Sequence, residues 1–296
     1  MTKLKILGDP GNWKRITSDL AYRLIEEDKN NPKEEQPEPS VEETPQPKIT
    51  QIDNPDNFVF LESRVHGTHQ YPDLYIDIHR LALYKEVEET AKRLNLQIQE
   101  TAQESDGYKY IGNINHEQSK SLAVESGFLP LNLRLAVDFY RELNEGAEGK
   151  KQVYNGERKI IPAERLAQAF KEIQEVRAPW RAELFSDKYT IQGNKKQVTY
   201  LLINPDYSIT EVTEDLEDCL MIDKTPGISL NDWLKNATSQ GQPKANIRNG
   251  SLYYWSPRNN SVARFYADSF GSSLFCDGSQ QGSDPVLGVR VAHAKN

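Results

Sequence analysis

The chain carries 44 acidic and 36 basic residues among its 296, a formal net charge of −8, and 37% hydrophobic residues, with a pI of about 5.3 and a mean hydropathy of −0.72. No block of lysine and arginine supplies the basic face that a phosphate backbone or an anionic membrane selects, so neither nucleic acid nor membrane insertion is expected. With no apolar run of signal-peptide or membrane-spanning length, the expected place of synthesis is the cytoplasm, which is compatible with later residence on a virion surface.

Residues 1–27 read as an N-terminal segment, a short strand followed by a weak helical stripe through Leu20, Leu24 and Ile25. Residues 28–56 are dense in Glu, Pro, Asn and Gln. Proline removes backbone donors and like charges repel, so this stretch predicts a disordered acidic linker. Residues 57–145 form a helical and mixed supporting region. Within it, 71–96 reads as one helix, because Leu74, Ile78, Leu81, Tyr84, Val87, Ala91 and Leu94 recur at three- and four-residue steps. A short strand is expected at 108–114 and helices at 116–126, closed by Gly127, and at 133–143.

Residues 146–296 form the second region. A helix is predicted at 162–176, strands at 182–189 and 197–203 around a Gly193-Asn194 turn, and a helix at 230–239 capped by Ser229. Strand-like segments follow at 252–255, 262–266, 273–276 and 287–292, separated by loops of Asn, Ser, Gly and Asp. Helices precede strands, which points to α+β rather than alternating α/β.

Enzymatic signals are sparse. His66, His69 and His79 include an H-x-x-H spacing, but the pair falls in a predicted Gly/Thr/Pro loop with no third ligand, so a packing or surface role is expected and no metal or other cofactor. Carboxylate pairs such as Glu217-Asp218 and Glu88-Glu89 read as solvated faces. No G-x-S-x-G, P-loop or G-x-G-x-x-G is present. Cys219 and Cys276 are too few for a disulfide framework or a four-cysteine zinc site.

The region from Ala245 to Ala294 differs from the rest of the chain in containing neither Lys nor Glu. Tyr253, Tyr254, Trp255, Tyr266, Asp268, Phe270, Ser273, Phe275, Asp277 and Gly278 stand in their place. This is the palette of antibody paratopes, where aromatic rings supply stiff contact area at low entropic cost and Ser, Gly and Asn supply adaptable hydrogen bonds.

On the framework Trp255, Arg264-Phe265, Ala267, Leu274, Cys276 and Leu287-Gly288-Val289-Arg290, with variable-type residues scattered between, this segment resembles the variable region of diversity-generating retroelement target proteins, closest to the archaeal and viral members. The resemblance implies a C-type-lectin-like C-terminal domain (variable region about 251–292) beside a helical/mixed N-terminal portion. It also implies mutagenesis at template adenines. AAC codons changed there reach Tyr, Asp, Ser, Gly and Phe but not Lys or Glu; Gln280 and Gln281 depart from that pattern. The Gln242-Pro243-Lys244 stretch has lysine where a calcium-binding lectin needs a carboxylate ligand, so calcium-mediated sugar binding is not implied.

The resulting expectation is a non-enzymatic, receptor-binding variable protein with a protein or glycan partner on a cell surface. Tyr254, Ser256, Tyr266, Asp268, Phe270, Ser273, Phe275, Asp277 and Gly278 would face the ligand, and Val262, Phe265, Leu274 and Val289 the core. Serine at Tyr254, Tyr266, Phe270 and Phe275 together is then expected to leave the melting temperature nearly unchanged. The rival readings are an enzyme of the formylglycine-generating type, which needs Cys219 and Cys276 to meet, and a structural virion subunit.

Overall fold

The computed structural model describes residues 54–80, 85–96, 99–103, 109–176, 180–269 and 271–294. The expectations for residues 1–27 and for most of the 28–56 linker lie outside these. The described residues belong to one compact unit, Thr44–Asn296, and the division drawn at residue 145 falls inside it. Asn54 already caps a short 3-10 turn, Pro55–Asn57.

The fold is mixed α and β. A four-stranded sheet has the order β1 (Phe58–Leu61), β4 (Leu74–Asp77), β16 (Val291–Ala294), β7 (Leu129–Pro130). It therefore unites the beginning and end of the described chain, with Ile76 opposite Ala292. Two hairpins, β2 (Arg64–His66) with β3 (His69–Tyr71) and β5 (Gln99–Gln103) with β6 (Lys109–Gly112), stand apart from it.

The eight-stranded sheet runs β10 (Ile209–Asp215), β9 (Lys195–Ile203), β8 (Arg181–Gln192), β13 (Ser261–Asp268), β14 (Gly271–Ser279), β12 (Leu252–Trp255), β11 (Lys224–Ile228). Strand β15 (Leu287–Val289) pairs beside β8. Among the described residues five helices accompany the sheets: α1 (Lys85–Arg93), α2 (His116–Glu125), α3 (Leu133–Ala147), α4 (Ala163–Gln174) and α5 (Leu230–Asn236).

The single helix expected over 71–96 is corrected. Among the described residues only α1 is helical there, and Leu74–Asp77 is a strand paired on both sides, to β1 and to β16. All four of its residues are buried. A central strand covered on both faces reads as a continuous apolar run, and its residues happened to fall in phase with the Val87–Ala91 stripe of the real helix.

Local chemistry sets the helix starts. The Asn115 side chain accepts from Gln118 N while Gln118 reaches back to Asn115 N, a reciprocal cap on α2. Asn132 caps α3 by accepting from Leu135 N at 2.9 Å, and Asp187 Oδ2 takes the Leu133 N–H at 2.6 Å. Ser229 caps α5, as its place in the sequence predicts.

One polar hub crosses the core. Glu183 on β8 accepts from Tyr140 Oη at 2.8 Å, Arg181 at 3.2 Å and Arg290 Nε at 3.2 Å. Arg290 also donates to the carbonyls of Asp77 and Ile78. Burial by itself pushes the Glu183 carboxyl up, but Arg290 and Arg181 outweigh it and hold the group at about 2.

His293 on β16 is buried between Phe58 and Phe128, ring centroids at 4.8 and 4.9 Å, and neither ring nitrogen finds a hydrogen-bond partner among the described residues. Burial lowers its pKa to about 4. The unfolded chain takes up this proton near pH 6.5 and the folded chain only near 4. His293 therefore destabilises the fold as pH falls through that window, by on the order of 3 kcal/mol. His116, lowered to about 4 by burial and Lys120, acts in the same direction, while Asp187, raised to about 7 by burial, acts in the opposite one. His293→Phe keeps both ring contacts and removes one titration. Urea denaturation at pH 7 and pH 4 is expected to show the wild type losing about 3 kcal/mol more than the variant. Equal losses would mean that His293 is ionised inside the fold.

Candidate functional site

In the large sheet β14 lies between β13 and β12, antiparallel to the first and parallel to the second. Side chains of a strand alternate between faces, so the register sorts this segment into two sets. Leu252, Tyr254, Phe265, Leu274 and Cys276 enter the main hydrophobic core. Phe265 stacks on Trp233 at 6.4 Å and meets Tyr140 edge-on at 5.5 Å. The opposite set, Tyr253, Trp255, Tyr266, Phe275 and Asp277, is half-buried. Trp255 stacks on Phe275 at 5.7 Å with 13° between the rings, and Tyr266 meets Phe275 edge-on at 5.2 Å. These contacts make a continuous aromatic strip across three strands.

The predicted contact residues divide accordingly. Tyr266, Asp268, Phe275 and Asp277 lie half-buried on the strip or at its border. Phe270 lies outside the described residues.

Tyr254, Ser256 and Ser273 are corrected to interior positions, at 0%, 0% and 2% exposure. Tyr254 sends its ring into the core, where its hydroxyl donates to Leu220 O at 2.7 Å. Ser256 donates from both its amide and its hydroxyl to Asp223 Oδ1, at 2.9 and 2.8 Å. Ser273 has the outward parity but sits opposite Tyr253 on one side and Tyr266 on the other, where a small side chain lies covered. Gly278 is half-buried, but a Cβ there would meet Val262 O at 2.9 Å and Arg264 Nε at 2.8 Å. Close packing, rather than ligand contact, therefore accounts for this glycine.

Two outward residues were missed. Tyr253 was not among the expected contacts, and Trp255 was assigned to the framework. The run Tyr253-Tyr254-Trp255 has no polar alternation from which parity can be read; only the pairing of Tyr254 with Leu274 settles it. The expected core positions Val262, Phe265, Leu274 and Val289 are buried.

The charges around the strip are arranged unevenly. Arg258 clamps Asp223 through two contacts of 2.9 and 2.7 Å. Burial raises the Asp223 carboxyl, but the Ser256 amide and hydroxyl together with Arg258 carry it below its ordinary value. Arg264 turns its guanidinium to the carbonyls of Ser279 and Gly282. Asp277 Oδ1 is buried and has no hydrogen-bond partner among the described residues. Burial raises the Asp277 carboxyl and Asp223 adds to this; its own backbone amide, Arg258 and Arg264 offset only part.

Groups that sequence reading marked for possible catalysis lie elsewhere. His66 and His69 face each other in the β2–β3 hairpin, yet each bonds a different carboxylate, Asp138 at 2.6 Å and Glu214 at 3.1 Å. Burial raises Asp138, while the His66 hydrogen bond, Arg134 and Arg64 bring it down to about 2. These pairs tie the hairpin to α3 and β10. Both cysteines are free and buried. Burial raises the Cys219 thiol to about 11 and the Cys276 thiol further, so both stay protonated, the reverse of the electropositive setting that prepares a reactive cysteine.

No family model matches the chain, and no curated protein or solved structure does either. No helix among the described residues is long and apolar enough to cross a membrane.

Proposed function

We propose that this chain is a ligand-binding variable protein. In this reading it displays diversified side chains on the outer face of β12, β13 and β14, on a C-type-lectin-like scaffold, with a retroelement as the source of diversity. The observation that carries the proposal is the division of the segment by face. Phe265, Ala267, Leu274, Cys276, Leu287, Val289 and Arg290, all framework positions of the resemblance, are buried. Tyr266, Asp268, Phe275 and Asp277, all of the adenine-reachable type, are half-buried on or beside the strip. A rigid sheet whose inner face is fixed by packing tolerates exchange on its outer face. The partner in this reading is a protein or glycan on a cell surface, bound through a few aromatic anchors.

Sequencing this gene and its flanks across many isolates tests the proposal. A reverse transcriptase and a near-copy of the 3′ end are expected beside it. Substitutions should be confined to template adenines and concentrated at codons 253, 266, 268, 275 and 277. Variation spread evenly over both faces of the strands, with Phe265 and Leu274 changing as often as Phe275, would sink the reading.

A further inference from the structure

We propose that Arg64 and Arg141, lying over the buried carboxylates of Asp138 and Glu142, form a binding site for a phosphate group, free or carried as a monoester. The site stands apart from the display surface. It lies on α3 and the β2–β3 hairpin, and α3 packs against the inner face of the large sheet, through Tyr140 on Phe265.

Cations outnumber acids here. Asp138 Oδ1 is approached by three guanidiniums, Arg134 at 2.8 Å, Arg141 at 3.3 Å and Arg64 at 3.6 Å, while His66 takes Oδ2 at 2.6 Å. Glu142 Oε1 is shared by Lys151 at 2.6 Å and Arg64 at 3.5 Å. Four permanent cations therefore surround two carboxylates, in a chain whose net charge is −8. The crowding is felt within the cluster. Burial lowers the Arg134 pKa, Asp138 offsets part of this, and Arg141 lowers it further as a like charge.

The layering turns the surplus outward. The side chains of Asp138 and Glu142 are 0% and 4% exposed, those of Arg64 and Arg141 16% and 30%. A guanidinium has five N–H donors. Among the described residues Arg141 uses one, to Asp138, and Arg64 makes one hydrogen bond, from Nε to Glu62 O at 3.0 Å. The terminal nitrogens of Arg64 have only the two long ion-pair contacts. None of the remaining nitrogens of these two side chains is enclosed, whereas Arg134 Nε is and takes no part. Arg64 Nη1 and Arg141 Nη2 approach the same oxygen, so they lie within about 7 Å of each other, a gap that one tetrahedral oxyanion spans with N–H···O bonds of about 2.8 Å at each end. A carboxylate offsets one of the surplus charges; a phosphate offsets close to two and offers three oxygens to two guanidinium forks.

The test is isothermal titration of the full chain at about pH 7.5, where a phosphate monoester carries close to two charges. The probes are inorganic phosphate, glucose 6-phosphate, glucose, and sodium chloride at matched ionic strength. Saturable binding of a phosphate probe is expected, with no binding of glucose and none of chloride. Binding of both phosphate probes would place recognition in the phosphate group itself. Binding of inorganic phosphate alone would make the ligand the free ion, and binding of the ester alone a phosphorylated molecule. R64Q and R141Q should each weaken the binding about tenfold, the range of one charge-assisted hydrogen bond. K150Q, at an exposed lysine paired with Glu148, should leave it unchanged. R141Q removes a single hydrogen bond of 3.3 Å and should fold as the wild type does; it carries the test alone if R64Q does not fold. No saturable binding of either phosphate probe, an equal response to chloride, or an unchanged Kd in R141Q would each overturn the site.

Discussion

Tyr254→Ser is expected to lower the unfolding free energy by about 3–5 kcal/mol, as large-to-small exchanges of buried aromatics do. Tyr266→Ser and Phe275→Ser together should cost about 1–2 kcal/mol, the value of a half-buried aromatic contact. Tyr254 is fully buried in the main core, and its hydroxyl satisfies Leu220 O. Serine there leaves a cavity and strands that carbonyl. Phe275 touches Tyr266 and Trp255, and Tyr266 also packs against the buried cluster of Ala182, Leu184 and Leu287, but both rings are half-buried, so their loss costs less than that of an enclosed ring. Urea denaturation of the two variants measures the contrast. Equal large losses would mean that both faces are core, and the outer face would cease to be a display surface. The expectation that all four serine exchanges together are harmless does not survive, because Tyr254 is one of the four.

Arg290→Met is expected to cost about 3–5 kcal/mol, the price of removing one partner from a buried ion pair. The guanidinium is fully buried, lies 4.9 Å from the Phe139 ring centre, and bonds Glu183 and the carbonyls of Asp77 and Ile78. Methionine fills much of the volume but takes a donor away from those two carbonyls and from the Glu183 carboxylate. Adding Glu183→Gln to Arg290→Met should recover a share of the loss, since the buried charge is then removed from both sides. Strict additivity of the two single substitutions would show that the pair is not coupled. Glu183, held at about 2, contributes stability that is present above its unfolded pKa and lost as pH falls through the folded one. Without Arg290 its folded pKa rises, and that acid-side loss moves to higher pH.

The helices from residue 116 onward were legible because helix signals are local, as with the cap at Ser229, which acts within three residues of its side chain. The Gly193-Asn194 turn between β8 and β9 was legible for the same reason, since the paired strands flank it directly. The strand at Leu74–Asp77 was not, because what makes it a strand is its pairing with β16, far away in the chain. At the candidate site the parity of β13 and β14 was readable from the alternation of Tyr266 and Phe275 with core residues. That of β12 was not, and the one-residue ambiguity exchanged Tyr254 for Tyr253 and Trp255.

By itself, then, the sequence determined which kinds of residue fill the C-terminal segment: aromatics and small polar residues, with neither lysine nor glutamate between Ala245 and Ala294. Only the tertiary structure decided which of them face outward and which neighbours they keep. Composition is a property of single positions, whereas the face of a strand depends on its register with partners. Here β12 takes its register from β14 and β11.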